Sequence, residues 1–434
     1  MTFSLTLCVM VGLSVFLSVI LKPHIQIKGI KVGTYCLCST LGAIILLASG
    51  SIPLKYLFSE LTSSTSINPV KILILFFSMT SLSVFLDEIG FFRYLANLAL
   101  RKTAKKQLGL FIALYIIVSI LTIFTSNDIV VLTFTPFICF FAKNAKINPL
   151  PYLFAEFVAS NTWSMLLIIG NPTNIYLASS AKIDFMLYIS QMVLPTCLAG
   201  IMSFVILLLL FYKELKKPIC TTVTQCRIEQ KTSLTLGVIH LAVCTVLLAI
   251  SSYYSLEMYL VSAIFAVSLF LSVLIINLIR KKSLNPIFRS FKRLPYELIP
   301  FVLSMFVLVL SLKYTGTTKI LSGFISKGDS IYTIGTTSFL VSNIINNIPM
   351  SVLFSSLLSY GADGQNYYQS VYAAIIGSNI GAFFTPVGAL AGIMWASILK
   401  RFEIDFSFKK FILYGTAISI PTLFAALFGL TLVF

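Results

Sequence analysis

Apolar runs of about 20 residues follow one another along almost the whole chain, separated by short polar stretches that hold most of the lysines and arginines. In helical form a run of that length matches the hydrocarbon thickness of a bilayer. Ten are read as full spans, roughly 3–21, 32–50, 70–86, 151–179, 187–212, 233–252, 256–279, 297–313, 366–399 and 410–433. Two further apolar stretches, about 108–142 and about 331–360, each carry a polar cluster near the middle. The first holds Ser126, Asn127 and Asp128; the second holds Asn346 and Asn347. Each is read as a re-entrant helical hairpin that enters and leaves on one side, because polar backbone at membrane depth is tolerated only where protein encloses it.

The pattern occurs twice. Ser160-Asn161 is followed nine residues after the asparagine by Gly170, and Ser378-Asn379 is followed at the same interval by Gly388. The amide pairs of the hairpins lie at nearly matched distances upstream, Asn127-Asp128 before Asn161 and Asn346-Asn347 before Asn379. Phe77-Ser78-Met79-Thr80 with Gly90 matches Leu303-Ser304-Met305-Phe306 with Gly316 at one offset of 226. Five spans enclose each hairpin, so the second half starts on the face opposite to the first and the halves are inverted copies. The expected fold is an all-α polytopic membrane protein of about ten transmembrane spans in two inverted repeats, each with a re-entrant hairpin and a broken helix. Residues 1–212 form the first repeat, 213–232 a cytoplasmic linker and 233–434 the second repeat.

Composition agrees with a lipid-solvated chain: 58% of residues are apolar and only 10% charged, against about 25% charged in a soluble domain. The first run lacks a basic leading segment and a small-residue cleavage site, so it reads as a retained span. The net charge of +17 changes its meaning once topology is drawn. All but six of the 31 basic residues (Lys55, Lys71, Lys182, Lys313, Lys319 and Lys327) fall on one face. That face is expected to be cytoplasmic, with both termini outside. The basic excess is therefore topological and nucleic-acid binding drops out. The eight cysteines show no C-x-x-C pair and read as small apolar residues; Cys220 and Cys226 share a polar loop, read as reduced.

Candidate chemistry sits at the breaks. Gly170-Asn171-Pro172-Thr173-Asn174 interrupts the fourth span and Thr385-Pro386-Val387-Gly388 the ninth, since proline removes a backbone donor and glycine accepts unusual dihedrals. Half-helices that begin inside the protein aim free N–H groups at an anion or an electron-rich oxygen, and freed carbonyls and amides hold small cations. The expected substrate and ion site comprises Ser126, Asn127, Asp128, Asn161, Gly170, Asn171, Thr173, Asn346, Asn347, Ser378, Asn379, Thr385 and Gly388. Asp128 is the one carboxylate at a hairpin tip, with Asn347 opposite it in the repeat; intramembrane carboxylates are costly and usually functional, which makes Asp128 the first coupling candidate. Glu156, five residues before Asn161 and matched by Ala374, is the second. Asp87 and Glu88 end the third span and read as a solvated cap at the basic face. His240 reads as a packed histidine. No nucleotide cradle and no metal-ligand spacing occurs, so energy would come from an ion gradient or a separate subunit.

The hairpin residues Ser126-Asn127-Asp128 with Thr135-Pro136, their partner Asn346-Asn347-Ile348-Pro349, and the stretch from Ile375 through Thr385-Pro386-Val387-Gly388 to Trp395 resemble the ion transporter superfamily, most closely its arsenite-efflux permeases. The resemblance covers essentially the whole chain and is less specific for substrate than for fold. It implies a secondary transporter and not an enzyme, in the cell membrane. The implied cargo is a small oxyanion or metalloid hydroxide, arsenite or antimonite first. A sodium-coupled di- or tricarboxylate symporter of the citrate type and a sodium–proton antiporter are the alternatives. Carboxylate carriers of the superfamily bear Ser-Asn-Thr at each hairpin tip; here the tips read Ser126-Asn127-Asp128 and Ile345-Asn346-Asn347, which points toward the efflux or exchange branch. The implied partners are the substrate, the lipid bilayer, a second copy in a homodimer and a separate ATPase subunit. No cofactor is implied beyond a bound sodium ion or a transported proton.

Overall fold

The computed structural model describes residues 2–21, 24–27, 30–62, 68–92, 94, 106–219, 230–251, 254, 256–325, 330–361, 364–404 and 406–434. Among the basic residues used above, Lys22, Lys28, Arg93, Arg101, Lys102, Lys105, Arg227 and Lys327 lie outside the described residues, as do Cys220 and Cys226.

The ten expected spans are helical. In the first half they are α1 (Thr2–Leu21), α2 (Thr34–Ala48), α4 (Pro69–Glu88), the broken pair α7 (Leu150–Trp163) and α8 (Pro172–Ser180), and α9 (Phe185–Leu215). In the second half they are α10 (Lys231–Ile250), α11 (Met258–Ile279), α13 (Leu298–Tyr314), the broken pair α17 (Gln365–Gly381) and α18 (Leu390–Arg401), and α19 (Phe408–Val433). Outward faces are apolar and exposed, as at Leu209, Ile264, Leu271 and Ile275, which suits lipid contact. Three short helices, α3 (Leu54–Thr62), α12 (Asn285–Lys292) and α14 (Thr317–Ile325), and a two-stranded hairpin, β1 (His24–Ile27) with β2 (Ile30–Gly33), were not expected from the apolar runs. They are shorter than a span and amphipathic or alternating, so a window of about 20 residues passes over them.

The two hairpins are present: α5 (Gln107–Phe124) with α6 (Asn127–Ala145), and α15 (Ser330–Ile345) with α16 (Asn347–Gly361). Each returns to the side it left. Tyr152, just after the first hairpin, donates its hydroxyl to Gln107 Oε1 at the start of that hairpin, 3.0 Å away. Ser330 Oγ, opening the second, donates to Gln369 Oε1 just beyond its end, at 2.8 Å. Cysteines replacing the exposed Lys106 and Lys143 are therefore expected to label from one side of a sealed vesicle, and cysteines replacing Ser330 and Tyr360 from the other. Opposite-side labelling within either pair would end the re-entrant reading.

Packing between halves is reciprocal, as a two-fold axis in the membrane plane requires. α2 packs on α13 as α11 packs on α4; α6 packs on α18 as α16 packs on α8; and α9 lies against its counterpart α19. The backbone repeats too. Gly90 and Gly316, matched in sequence, follow the ends of α4 and α13 with φ of 86° and 72°, a left-handed exit that only glycine takes without penalty.

Asp87 and Glu88 do not form a solvated cap: Asp87 is buried, and the Arg293 guanidinium just beyond α12 reaches both carboxylates at 2.6 Å. The repeat position of Asp87 is Lys313, which faces Glu60 of α3 at 3.9 Å, so the related ion pair runs with its charges reversed. Removing one partner of a buried pair costs about 3–5 kcal/mol, less where a partner is partly exposed as Arg293 is. Arg293→Ala is expected to lower the melting temperature in detergent by several degrees, with partial recovery in Arg293→Ala/Asp87→Asn. A single variant as stable as the parent would show that the pair contributes nothing.

Candidate substrate and ion site

The hairpin tips reach the breaks of the long helices. In the first hairpin the chain leaves α5 at Phe124, passes Thr125 and Ser126 in extended conformation, and starts α6 at Asn127. In the second a single residue, Asn346, makes the turn with φ 74°, a left-handed conformation that asparagine tolerates better than most residues. Ser126 O and Asn346 O accept the first bonds of their helices, from Val130 N and Met350 N. Counted from these caps, Asn346 stands in the place of Ser126 and Asn347 in that of Asn127. The residue that matches Asp128 is then Ile348, not Asn347, a shift of one residue from the sequence register. The shorter turn of the second hairpin is its cause.

A closed network of amides joins the tips to the breaks. Asn161 Nδ2 donates to Phe157 O at 2.8 Å, so its Oδ1 must accept, and it does so from Asn127 Nδ2 at 3.0 Å. That fixes the Asn127 amide and leaves its Oδ1 buried without a partner. Asn379 repeats the local bond, donating to Ile375 O at 2.8 Å and to Asn174 Oδ1 at 2.7 Å. Its own Oδ1 accepts from Ser164 Oγ at 3.0 Å and Asn171 Nδ2 at 2.9 Å, tying the two broken helices together at the centre. Thr173 Oγ1 and Ser378 Oγ lie 3.4 Å apart across the same seam.

The second tip is latched differently. Asn346 Nδ2 donates to Val387 O at 3.0 Å, and Asn347 N donates to Gly388 O at 3.0 Å. Asn343 Oδ1 accepts from both the backbone N (3.1 Å) and the hydroxyl (2.6 Å) of Thr385. Asn347 Oδ1, like Asn127 Oδ1 at the matching position, is buried and unpartnered, as is Ser126 Oγ. Gly170 and Gly388 sit where a methyl group would meet backbone: 2.3 Å from Ser164 O in the first case and 2.5 Å from Gly381 O in the second.

All thirteen expected site residues therefore lie at the two tips or the two breaks, and the breaks are placed more widely than the sequence suggested. The first opens at Ser164, not at Gly170, and Thr173 and Asn174 belong to the first turn of α8. Asn174, Ser164 and Asn343 belong to the network and were not among the expected residues. Ser342-Asn343 repeats the Ser-Asn pairing of Ser126-Asn127, Ser160-Asn161 and Ser378-Asn379, and that signal could have found it. The two acidic candidates separate. Asp128, 8% exposed, takes no hydrogen bond or ion pair among the described residues and lines a narrow cleft. Glu156, 1% exposed, is held by the Thr135 hydroxyl at 3.2 Å and does not line that cleft. His240 is packed as expected, with its ring nitrogens on Leu236 O and Ser268 Oγ.

Comparison with known proteins gives the architecture its relatives. The structure aligns over 99% of the chain, and 96% of the other, with the Alcanivorax borkumensis YdaH transporter, at a TM-score of 0.55 and 12% identity, a likeness of fold alone. An arsenical pump membrane protein of Escherichia coli is 26% identical over 437 residues, covering 96% of this chain and 97% of that one. A putative arsenical pump membrane protein of Bacillus subtilis (strain 168) is 25% identical over 422 residues, 91% of this chain and 92% of that one. The human P protein is 29% identical over 147 residues, only 33% of this chain and 18% of its own. Residues 34–370 match the CitMHS family, described as citrate transporter. Spanning both repeats and the hairpins described above, that match means that the chain belongs to the CitMHS family within the ion transporter superfamily, and is a membrane transporter and not an enzyme.

Proposed function

We propose that the chain is a secondary active transporter of the plasma membrane that moves a small metalloid hydroxide, arsenite or antimonite, in exchange for protons, with the basic face in the cytoplasm and both termini outside. One observation carries this reading. Two of the three unpartnered buried groups at the hairpin tips, Asn127 Oδ1 and Asn347 Oδ1, are acceptors, the third being the Ser126 hydroxyl, and the network fixes the Asn127 amide so that it cannot turn to donate. A neutral trihydroxide brings O–H donors and no charge, so it satisfies these oxygens and needs no counter-cation; leaving such groups unpaired costs about 1–3 kcal/mol each. No Lys or Arg lies in either hairpin tip or either break. The curated relatives named arsenical pump membrane proteins agree with this cargo.

The description of the family as citrate transporters supports a second reading, sodium-coupled carboxylate symport. A tricarboxylate is rich in acceptors and would leave Asn127 Oδ1 and Asn347 Oδ1 without a donor, which disfavours it. Vesicles of pure lipid containing the purified protein decide between them. The expected result is antimonite accumulation driven by an imposed pH gradient without sodium or ATP, and no citrate uptake. Sodium-driven citrate uptake without metalloid transport would replace the first reading by the second, and a requirement for an added ATPase would remove the proton-exchange element. Asp128→Asn keeps size and hydrogen-bonding capacity while removing the titratable group. It is expected to retain exchange of antimonite and lose accumulation against a gradient; if it still concentrates antimonite, coupling passes to Glu156.

A further inference from the structure

The cleft that reaches Asp128 has a chemistry that the amide network does not use. Its wall is formed by Tyr35 of α2, Phe76 and Thr80 of α4, Asp128 and its neighbours on α6, Pro295, Glu297 and Leu298 at the start of α13, and apolar residues of α18. Glu297 stands at the more exposed end, where Gly33 N donates to its Oε2 at 2.9 Å; no cation pairs with it among the described residues. Deeper in, Thr80 is 1% exposed and its hydroxyl has no hydrogen-bond partner. Asp128, at the hairpin tip, lines the same cleft. The oxygens are thus two carboxylates, one unpaired buried hydroxyl and a phenol, and no Lys or Arg lines the cleft. Asp128, Glu297 and Tyr35 are its titratable groups; α18 adds only Leu390, Ile393 and Met394.

The related positions on the other face show that this is not a consequence of the fold. At the offset of 226, Pro295 returns as Pro69, but Glu297 becomes Lys71 and Thr80 becomes Phe306. Lys71 lines a cleft with Lys182 and Glu257, and pairs with Glu257 at 3.2 Å. Counted from the caps, Asp128 becomes Ile348. Every oxygen-bearing side chain of the first cleft thus has a cationic or apolar counterpart in its repeat mate, Tyr35 becoming Val261 at the same offset. A duplicated scaffold that differs at all of these positions has been specialised on one face.

We infer that Glu297, Thr80 and Asp128 form a binding path for a monovalent cation, hydronium or sodium, between the basic face and the tip of the first hairpin. Glu297 gathers the ion at the mouth, the Thr80 hydroxyl receives it where buried apolar walls exclude water, and Asp128 holds it beside the amide network. The path deepens the proposed exchange function by adding residues to its ion site, but binding of the ion can be read without any substrate.

The test uses the purified full chain in detergent, with no metalloid present. Melting temperature is followed against NaCl, with choline chloride as control, and against pH in sodium-free buffer. The parent is expected to respond to one of the two cations, and which one responds identifies the ion. In Glu297→Gln and Thr80→Val the half-maximal concentration of that cation is expected to rise tenfold or more, while Thr80→Ser stays near the parent. Glu297 is half-buried at a mouth, so its variant decides the matter if Thr80→Val does not fold. A parent insensitive to both cations, or unchanged half-points in both variants, overturns the path. Failure of antimonite transport with these shifts intact would overturn the cargo and leave the cation path standing.

Discussion

Asn379→Ala is expected to abolish transport while the protein still inserts and migrates as a monodisperse species. Asn379 joins both broken helices through one side chain: it accepts from Ser164 and Asn171 and donates to Asn174 and to Ile375 O. Alanine strands the Asn171 amide donor in a buried site, at about 1–3 kcal/mol for an unsatisfied group, and leaves Asn174 Oδ1 only the long contact from Thr173 Oγ1. The seam between repeats then has no fixed register, and the Asn161 to Asn127 bond loses the support of Ser164, which bridges Asn161 O and Asn379 Oδ1. Initial rates of antimonite exchange should fall at least a hundredfold, and melting temperature by several degrees. Exchange within a fewfold of the parent would reduce the network to packing.

Gly388→Ala is expected to be nearly as severe for a steric reason. The added methyl would lie 2.5 Å from Gly381 O and 2.8 Å from Asn343 Oδ1, the atom that holds Thr385. Backbone cannot rotate away as a flexible side chain can, so the break must open, and overpacking of this kind costs about 1–3 kcal/mol or more. The Gly388 carbonyl also latches the second hairpin through Asn347 N, so the tip moves with it. Gly170→Ala, 2.3 Å from Ser164 O, should behave alike. Gly90→Ala is the control: nothing lies within 4 Å of its Cβ position, and a left-handed φ costs an alanine about 1–2 kcal/mol without touching the site. It should lose stability and keep transport, measured in the same vesicles. Equal transport by Gly388→Ala and Gly90→Ala would mean that tight closure of the break is not required.

These two residues also show how far the sequence could be read. Asn379 and Gly388 stand out because each recurs, with Asn161 and Gly170, at one spacing in both halves, and a repeat at membrane depth points to the centre of the fold. What each touches was not legible. Asn161 holds a hairpin tip, whereas Asn379 holds the opposite repeat, although both donate to the carbonyl four residues back. The difference arises from residues away from either asparagine: Asn127 of the first tip reaches Asn161, whereas Ser164, Asn171 and Asn174 of the first break reach Asn379.

The sequence by itself determined the lipid-solvated helices, the duplication, the hairpins and the position of both breaks within a few residues, because apolar length, proline and glycine act locally and lipid leaves the backbone few choices. Tertiary structure alone decided which acidic groups matter where. Asp87 and Glu88 read as a solvated cap until Arg293 closed over them. Glu297 gave no signal at a span boundary, where a charged residue is ordinary, until Thr80 and Asp128 were found in the same cleft. It also shifted the second hairpin by one residue, since Asn346 turns alone with positive φ where Thr125 and Ser126 turn together. Arg293 and Glu297 lie more than a hundred residues from the groups they meet, and the meeting follows from helix packing across a two-fold axis, which no local pattern of apolar and polar residues encodes.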